Sequence, residues 1–102
     1  MFRQGDVLLV RADVMPRGRR IQPDGTRLVL ARGEATGHHH SVAVEDAELV
    51  DAAQGVFLRV MAHTPLEHQE HAAIGLEPGV YRVIRQREYV PGAIDRLVGL
   101  LD

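Results

Sequence analysis

Residues 7–12 read VLLVRA, a short apolar run that follows Gly5-Asp6 and ends before Asp13. A run of this length, rich in Val and Leu and bounded by polar residues, is typical of a β-strand. Four further runs have the same character: TRLVLAR at 26–32, HHSVAV at 39–44, VFLRVMA at 56–62 and VYRVIRQRE at 80–88. The periodicity along the chain is therefore that of strands.

Turn residues separate these runs. PDG at 23–25, AQG at 53–55 and EPG at 77–79 combine Pro with Gly or end in Gly, which suits tight turns. Only AIDRLVGLL, residues 93–101, has a helical pattern. The sequence predicts an all-β fold, a small and mostly antiparallel β-barrel or sandwich, with a short C-terminal helix.

Two segments fit neither a strand nor a long helix. Residues 13–25 contain Pro16, Gly18 and three Arg, and we expect an exposed basic loop there. Residues 63–75, HTPLEHQEHAAIG, predict a structured loop in which Pro65 could begin one helical turn.

The bulk composition limits the class of protein. With 102 residues, of which 45% are hydrophobic, the chain predicts one domain over residues 1–102. There is no Cys, so a transition metal would have to bind imidazole and carboxylate ligands. The N-terminus matches neither a signal peptide nor a membrane span, so we expect a cytoplasmic protein with no membrane partner.

Charge is distributed unevenly although the net charge is only −2. Residues 1–32 carry seven Arg and three acids, residues 33–79 one Arg and eight acids, and residues 80–102 four Arg and three acids. All six His lie in the acidic middle segment. Neighbouring carboxylates favour either a bound cation or a protonated imidazole.

Three of the His are consecutive, in GEATGHHHSVAVED at 33–46. Side chains alternate along a strand, so His38 and His40 are predicted to share one face and His39 the other. His68 and His71 stand three residues apart, which would place them on one face of a helical turn. If that turn lies beside the His38/His40 strand, four imidazoles converge, with Glu70 and Glu45 as carboxylate partners.

The histidine segment resembles the first motif of the cupins, in which a Gly precedes an H-x-H and a Glu and Gly follow. Here Gly33, His38-His39-His40, Glu45 and Gly55 stand in that order, with four, four and nine residues between them. LEPGVYRV at 76–83 is similar to the turn that opens the second cupin motif. Because no His follows Gly79, the remaining ligand that this resemblance implies would come from His68 or His71.

A second resemblance spans nearly the whole length. RQGDVLLV, GEATGHHH, LEHQEH, LEPGVYRV and RQREY together resemble a family of short, functionally uncharacterised bacterial and phage proteins. The resemblance implies that the His38/His40 segment, His68, Glu70, His71 and the Gln86-Arg87-Glu88-Tyr89 end belong to one recurring design.

The first functional hypothesis is a small metal-binding β-barrel domain, with a metal-dependent enzyme as one form of it. His38, His40, His68 and His71 would bind a divalent transition metal, namely zinc, iron, manganese or nickel. Glu45 or Glu70 would orient an imidazole or act as a base.

The second hypothesis is a metal-independent ribonuclease or cyclic phosphodiesterase. Two of the four His would act as acid and base, and Arg85, Arg87 or Tyr89 would stabilise charge on an RNA or small-molecule substrate.

A third hypothesis is a non-catalytic binding module, because RQGDVLLV followed by an Arg-rich loop resembles the barrel of the ten-kilodalton co-chaperonins. Open edge strands in so small a protein also predict a homo-oligomer.

Overall fold

The computed structural model describes residues 1–33 and 37–86, and within them the secondary structure consists of β-strands and one short 3-10 turn. The predicted helix at 93–101, and the candidate residues Arg87 and Tyr89, lie outside these ranges. In chain order the strands are β1 (Phe2–Gln4), β2 (Val7–Ala12), β3 (Gly18–Arg20), β4 (Arg27–Arg32), β5 (His39–Ala43), β6 (Ala47–Ala52), β7 (Gly55–Val60), β8 (Thr64–Leu66), β9 (Ile74–Leu76) and β10 (Gly79–Arg85).

The strands form one large antiparallel sheet and two small ones. The large sheet has six strands in the order β1-β2-β10-β7-β6-β3, while β4 pairs with β5 and β8 pairs with β9. Every pairing between these strands is antiparallel. The predicted all-β, mostly antiparallel class is confirmed, and the sheets are arranged as a sandwich rather than a closed barrel.

One face of the large sheet supplies most of the core. Val7, Leu9 and Tyr81 point to this face, and Leu58 of β7 lies in register with Tyr81. The rest comes from the small sheets, through Leu28 and Val42 of β4–β5 and Leu66 and Leu76 of β8–β9. Apolar residues of the predicted strands, together with Leu66 and Leu76, thus hold the two layers together.

The structure corrects two loop predictions. Residues 13–25 contain β3, whose Arg19 and Arg20 pair in register with Asp51 and Val50 of β6. Neither the Arg-rich sequence nor the flanking Pro and Gly signalled a strand, because its residues are all exposed at the sheet edge and show no apolar alternation.

The second correction concerns residues 63–75. This segment contains β8 and the beginning of β9, and the loop between them has bends at 69–71 instead of a helical turn. Pro65 therefore lies in a strand, where it is exposed, and not at the start of a helix. Leu66 and Leu76, two core residues, belong to this hairpin.

No helix that is long and apolar enough to cross a membrane is found in residues 1–33 and 37–86.

Candidate functional site

Four imidazoles lie together where β5 meets the β8–β9 loop, and we call His38, His40, His68 and His71 the histidine cluster. The ring centre of His68 lies 5.7 Å from that of His38, 4.4 Å from that of His40 and 4.5 Å from that of His71. The ring centres of His40 and His71 are 6.1 Å apart. The four residues that the sequence singled out as one constellation are therefore neighbours in space.

Strand alternation accounts for the first pair. His40 lies in β5 with only 3% of its surface exposed, and His38 immediately precedes that strand. His39 lies between them and instead contacts Gln69, whose Oε1 accepts a hydrogen bond from the His39 backbone N–H at 2.9 Å. The predicted separation of His39 from the His38/His40 pair matches these contacts.

A backbone bridge places the second pair. Ser41 of β5 and Glu67 exchange two backbone hydrogen bonds, of 3.0 and 2.9 Å, which join the end of β8 to β5. His68 follows directly in the chain and so lies against His40. The bends at 69–71 bring His71 close to the other members of the histidine cluster.

Gln4 fixes the tautomer of His40. The Gln4 side-chain amide donates to the carbonyl oxygens of Leu66 and Ala72, both at 2.9 Å, so its Oε1 is the atom that faces His40 Nδ1 at 2.8 Å. A carbonyl oxygen can only accept, so Nδ1 must carry the proton. In the neutral imidazole, Nε2 of His40 then holds a lone pair.

Asp6 faces that lone pair. Its Oδ1 lies 3.1 Å from His40 Nε2, while its Oδ2 accepts a hydrogen bond of 2.9 Å from Arg85 Nε. Arg85 also donates to the backbone oxygen of Arg32, and the backbone N–H of Gln86 donates to the backbone oxygen of Asp6. A carboxylate oxygen and an imidazole lone pair at this distance repel unless a cation lies between them.

Burial and neighbouring charge set the protonation states of His40, His68 and Asp6. Burial lowers the pKa of His40, and positive charge on His68 lowers it further, against the opposing effect of Asp6. Burial also lowers the pKa of His68, with His71 and His38 acting in the same direction. Burial raises the pKa of Asp6, but the hydrogen bond and positive charge of Arg85, together with a hydrogen bond that His40 donates only when its Nε2 is protonated, outweigh burial, and the pKa lies below its ordinary value. Near neutral pH the site therefore holds neutral His40 and His68 rings beside an ionised Asp6.

Gly5 makes room for two rings. Its φ is +56°, and a Cβ built on it would lie 2.7 Å from His71 Nε2 and 3.3 Å from His40 Cε1. Only Gly avoids this overlap and adopts the left-handed conformation at little cost. The β1–β2 turn at Gly5-Asp6 therefore brings the backbone close to His71 and the Asp6 carboxylate close to His40.

Glu70 contacts two members of the histidine cluster. Its Oε1 lies 2.9 Å from His38 Nδ1, and its backbone N–H donates to His68 Nδ1 at 3.0 Å. Because Nδ1 of His68 accepts, its neutral ring carries the proton on Nε2. Glu70 is thus in contact with the histidine cluster, whereas Glu45 is exposed in the 3-10 turn Val44–Asp46.

Sequence reasoning missed Gln4, Gly5 and Asp6 as parts of the site. RQGD, residues 3–6, precedes a strand and carries no His, so apart from the family resemblance nothing in its pattern predicted a contact with a segment more than thirty residues away. Arg85, predicted as an electrostatic helper, donates a hydrogen bond to Asp6. In residues 1–33 and 37–86, no three His, Asp or Glu form a group that could hold a metal ion as they stand.

A polar cleft of about 390 Å³ opens beside the histidine cluster and shares His68 with it. Its other lining residues are Arg27, His39, Ser41, Glu67 and Gln69. Every one of these side chains can form hydrogen bonds, so the cleft can bind the polar groups of a ligand.

Comparison with known proteins places the chain in a family but assigns it no activity. Searches of curated proteins and of solved structures give no match. The resemblances to cupins and co-chaperonins stay predictions. A family model matches residues 3–86, which span the described strands from Arg3 onward. The chain therefore belongs to the family described as Domain of unknown function (DUF8820).

Proposed function

We propose that this protein binds a divalent transition metal ion at the histidine cluster, with His40 Nε2 and Asp6 Oδ1 as the first two ligands. His71 is the third ligand in this proposal, and His38, oriented by Glu70, is the fourth. The proposal keeps three of the four His predicted from the sequence and adds Asp6.

The observation that carries the proposal is the 3.1 Å separation of His40 Nε2 and Asp6 Oδ1, which are both acceptors when the neutral His40 ring is protonated on Nδ1. Two ligand atoms about 2.1 Å from one metal ion, at angles of about 90–109°, lie about 3.0–3.4 Å from each other. The Gln4 amide holds His40 in the tautomer that turns a lone pair toward Asp6. The alternative cation for this gap is a proton, and burial of His40 disfavours it by lowering the His40 pKa.

The hydrogen bonds behind the two first ligands also support metal binding. Ligating imidazoles commonly donate their other ring N–H to a carbonyl or carboxylate, and ligating carboxylates are themselves hydrogen-bonded. His40 Nδ1 has this relation to Gln4, and Asp6 Oδ2 has it to Arg85. Such hydrogen bonds orient the ligand side chains before a metal ion binds.

The ligand set suits zinc, iron, manganese or nickel, because imidazole and carboxylate are borderline and hard donors. Binding requires the 67–73 loop to shift so that His71 closes on the His40–Asp6 pair, since these groups do not yet surround a common point. A bound ion would supply Lewis-acid chemistry beside the polar cleft. His68, whose Nδ1 accepts from the Glu70 backbone, is assigned to that cleft instead.

The test is zinc binding by the full chain purified without a nickel column and treated with a chelator. Competition with a chromophoric chelator measures the Kd of the wild type and of Asp6→Asn, which keeps the shape of the side chain but removes its charge. We expect one ion per chain in the wild type and a Kd that is roughly 10- to 100-fold weaker in Asp6→Asn.

His63→Ala is the matched control. His63 is exposed, lies 3.9 Å from Glu77 and makes no described contact with the histidine cluster, so its loss should leave the Kd unchanged. Wild-type protein that takes up none of zinc, iron(II), manganese or nickel at micromolar concentration overturns the proposal. Equal loss of affinity in His63→Ala and Asp6→Asn overturns it too, because binding would then be a property of surface His.

A further inference from the structure

We infer that the polar cleft lined by Arg27, His39 and His68 binds an oxoanion, the phosphate or carboxylate group of a small-molecule substrate. This deepens the proposed function by naming a substrate class for the same site, and it rests on that function only for the role of the metal. The volume of about 390 Å³ falls within the range for small-ligand sites.

Arg27 is held in place as a donor. Its Nε donates to Ser41 Oγ at 3.0 Å, and its Nη2 donates to the Ser41 backbone oxygen at 2.9 Å. Ser41 is itself only 4% exposed and is bridged to Glu67 through both backbones. These bonds engage the Nε–Nη2 edge of the guanidinium, so its orientation is fixed before a ligand binds. An Arg fixed in this way is well suited to a planar or tetrahedral oxoanion.

His68 is a donor as well, because a neighbour fixes its tautomer. Its Nδ1 accepts from the Glu70 backbone N–H, so its neutral ring carries the proton on Nε2. His39 also lines the cleft, where its Nδ1 lies 3.3 Å from the side-chain nitrogen of Gln69 and 3.4 Å from the backbone oxygen of Gly37. Arg27 and His68 thus offer N–H groups to a ligand.

One carboxylate of the cleft, that of Glu67, would repel an anionic ligand. Glu67 Oε1 lies 3.2 Å from Arg27 Nη2, and the Glu67 side chain is 54% exposed. An exposed ion pair of this kind contributes little stability, so an incoming oxoanion can compete for the guanidinium. The balance of two donor side chains, Arg27 and His68, against one displaceable carboxylate favours an anionic ligand.

The proposed metal explains why this ligand would be a substrate. His68 belongs both to the cleft lining and to the histidine cluster, with its ring centre 4.4 Å from that of His40. A small molecule held by its oxoanion in the cleft would therefore extend toward the His40–Asp6 pair. The Arg-rich strand β3 lies on another sheet than the cleft strands β4 and β5. We therefore expect a small anionic ligand in the cleft and not a long polyanion that contacts both.

The test is a titration of the metal-free full chain with inorganic phosphate, and separately with acetate, at constant ionic strength. Amide and imidazole ¹⁵N shifts report the site, and sodium chloride is the ion control. We expect saturable shifts at Ser41, Gln69 and His68, with a stronger response to whichever oxoanion resembles the substrate. Because no metal is present, failure here is separate from failure of the metal proposal.

Three variants decide the assignment. Arg27→Gln and His39→Ala should each weaken phosphate binding about 5-fold or more, while Glu67→Gln should tighten it several-fold by removing the competing carboxylate. Arg59→Gln, which alters an exposed Arg paired with Glu48, is the matched control and should change nothing. His39→Ala keeps the test valid if loss of Arg27 disturbs folding.

Non-saturable shifts in the wild type overturn the inference, as do shifts that map to Arg17–Arg20, which would instead indicate nonspecific binding of polyanions such as RNA. Weaker phosphate binding in Glu67→Gln also contradicts it, because the cleft would then select a cationic or neutral ligand.

Discussion

Gln4 controls the histidine cluster although it is not a titratable residue. It is 3% exposed and satisfies three polar groups at once, namely His40 Nδ1 and the carbonyl oxygens of Leu66 and Ala72. One amide therefore ties β1 to β5 and to both ends of the β8–β9 loop. The direction in which His40 can accept a cation follows from this single side chain.

Gln4→Met should therefore destabilise the protein without creating a large cavity. It leaves a buried imidazole N–H and two carbonyl oxygens without their partner, which costs about 1–3 kcal/mol for each buried group that stays unpaired. Urea unfolding at neutral pH measures the loss, with Gln54→Met at an exposed position as control. A loss no greater than that of the control would show that the Gln4 amide does not hold the site.

Gly5→Ala tests the close approach of the β1–β2 turn to His71. The added Cβ would lie 2.7 Å from His71 Nε2, so we expect displaced His71 resonances and zinc binding at least 5-fold weaker. Gly25→Ala is the matched control, because Gly25 has φ +61° with no atom within 4 Å of the added Cβ. Both variants should lose about 1 kcal/mol of stability from backbone strain, and only Gly5→Ala should affect the metal. Equal zinc affinities in the two variants would contradict the assignment of His71 as a ligand.

At the scale of the elements, the sequence predicted the longer apolar strands and missed the short strands and β6. Val7–Ala12, Arg27–Arg32 and Gly79–Arg85 have apolar runs long enough to be recognised. The three-residue strands β1, β3, β8 and β9 are too short to show a period, and their pairing depends on partners distant in the chain. β6, with Glu48 and Asp51 among apolar residues, was hidden by its acidic composition.

β8 carries an unsatisfied polar atom. The hydroxyl of Thr64 is fully buried, and no hydrogen-bond partner for it is found in the described part of the chain. Thr64→Val keeps the branched shape and removes the desolvated hydroxyl, so we expect a gain of about 1 kcal/mol in the free energy of unfolding. Chemical denaturation measures it. A loss of stability would mean that the hydroxyl has a partner.

The sequence predicted only part of the candidate site, because only patterns between residues close in the chain can be recognised in it. Imidazoles are few and their spacing is readable, so His38, His40, His68 and His71 could be grouped from the order of residues alone. Asp6 and Gln4 reach the histidine cluster only through the arrangement of the strands, because β1 and β2 lie in the large sheet beside β10 while β5 lies in the opposite layer. No local pattern reports which layer covers which residue.

At the scale of the whole molecule, the two lowered imidazole pKa values make stability depend on pH. The folded-state pKa of His40 and of His68 lies below the ordinary value of 6.5, so the unfolded chain binds more protons as pH falls past that value. We expect the free energy of unfolding of metal-free protein to decrease from about pH 7 to about pH 5.

Urea titrations at pH 7, 6 and 5 measure this decrease. His63→Ala should keep the slope because His63 lies outside the histidine cluster, whereas His68→Gln should reduce it. Stability that stays constant or rises as pH falls through this window would show that protonated His40 is the native form and that a proton, not a metal, bridges it to Asp6.

Metal binding should also raise the melting temperature of the whole domain, because the ligands come from both layers of the sandwich. Zinc at about 100 times its Kd stabilises the native state by about 2.7 kcal/mol. For a domain of this size that corresponds to roughly 10–20 °C in Tm. Calorimetry of chelator-treated protein with and without zinc measures the shift, which should vanish in Asp6→Asn.

The position of the ion tests the central claim most directly. Crystals of the zinc-loaded protein, measured at the zinc absorption edge, give an anomalous difference peak whose location needs no assumption about ligands. The account predicts one peak about 2.0–2.2 Å from both His40 Nε2 and Asp6 Oδ1, with Gln4 still bonded to His40 Nδ1. A peak elsewhere, or an intact His40–Asp6 contact with no zinc between the two residues, would contradict it.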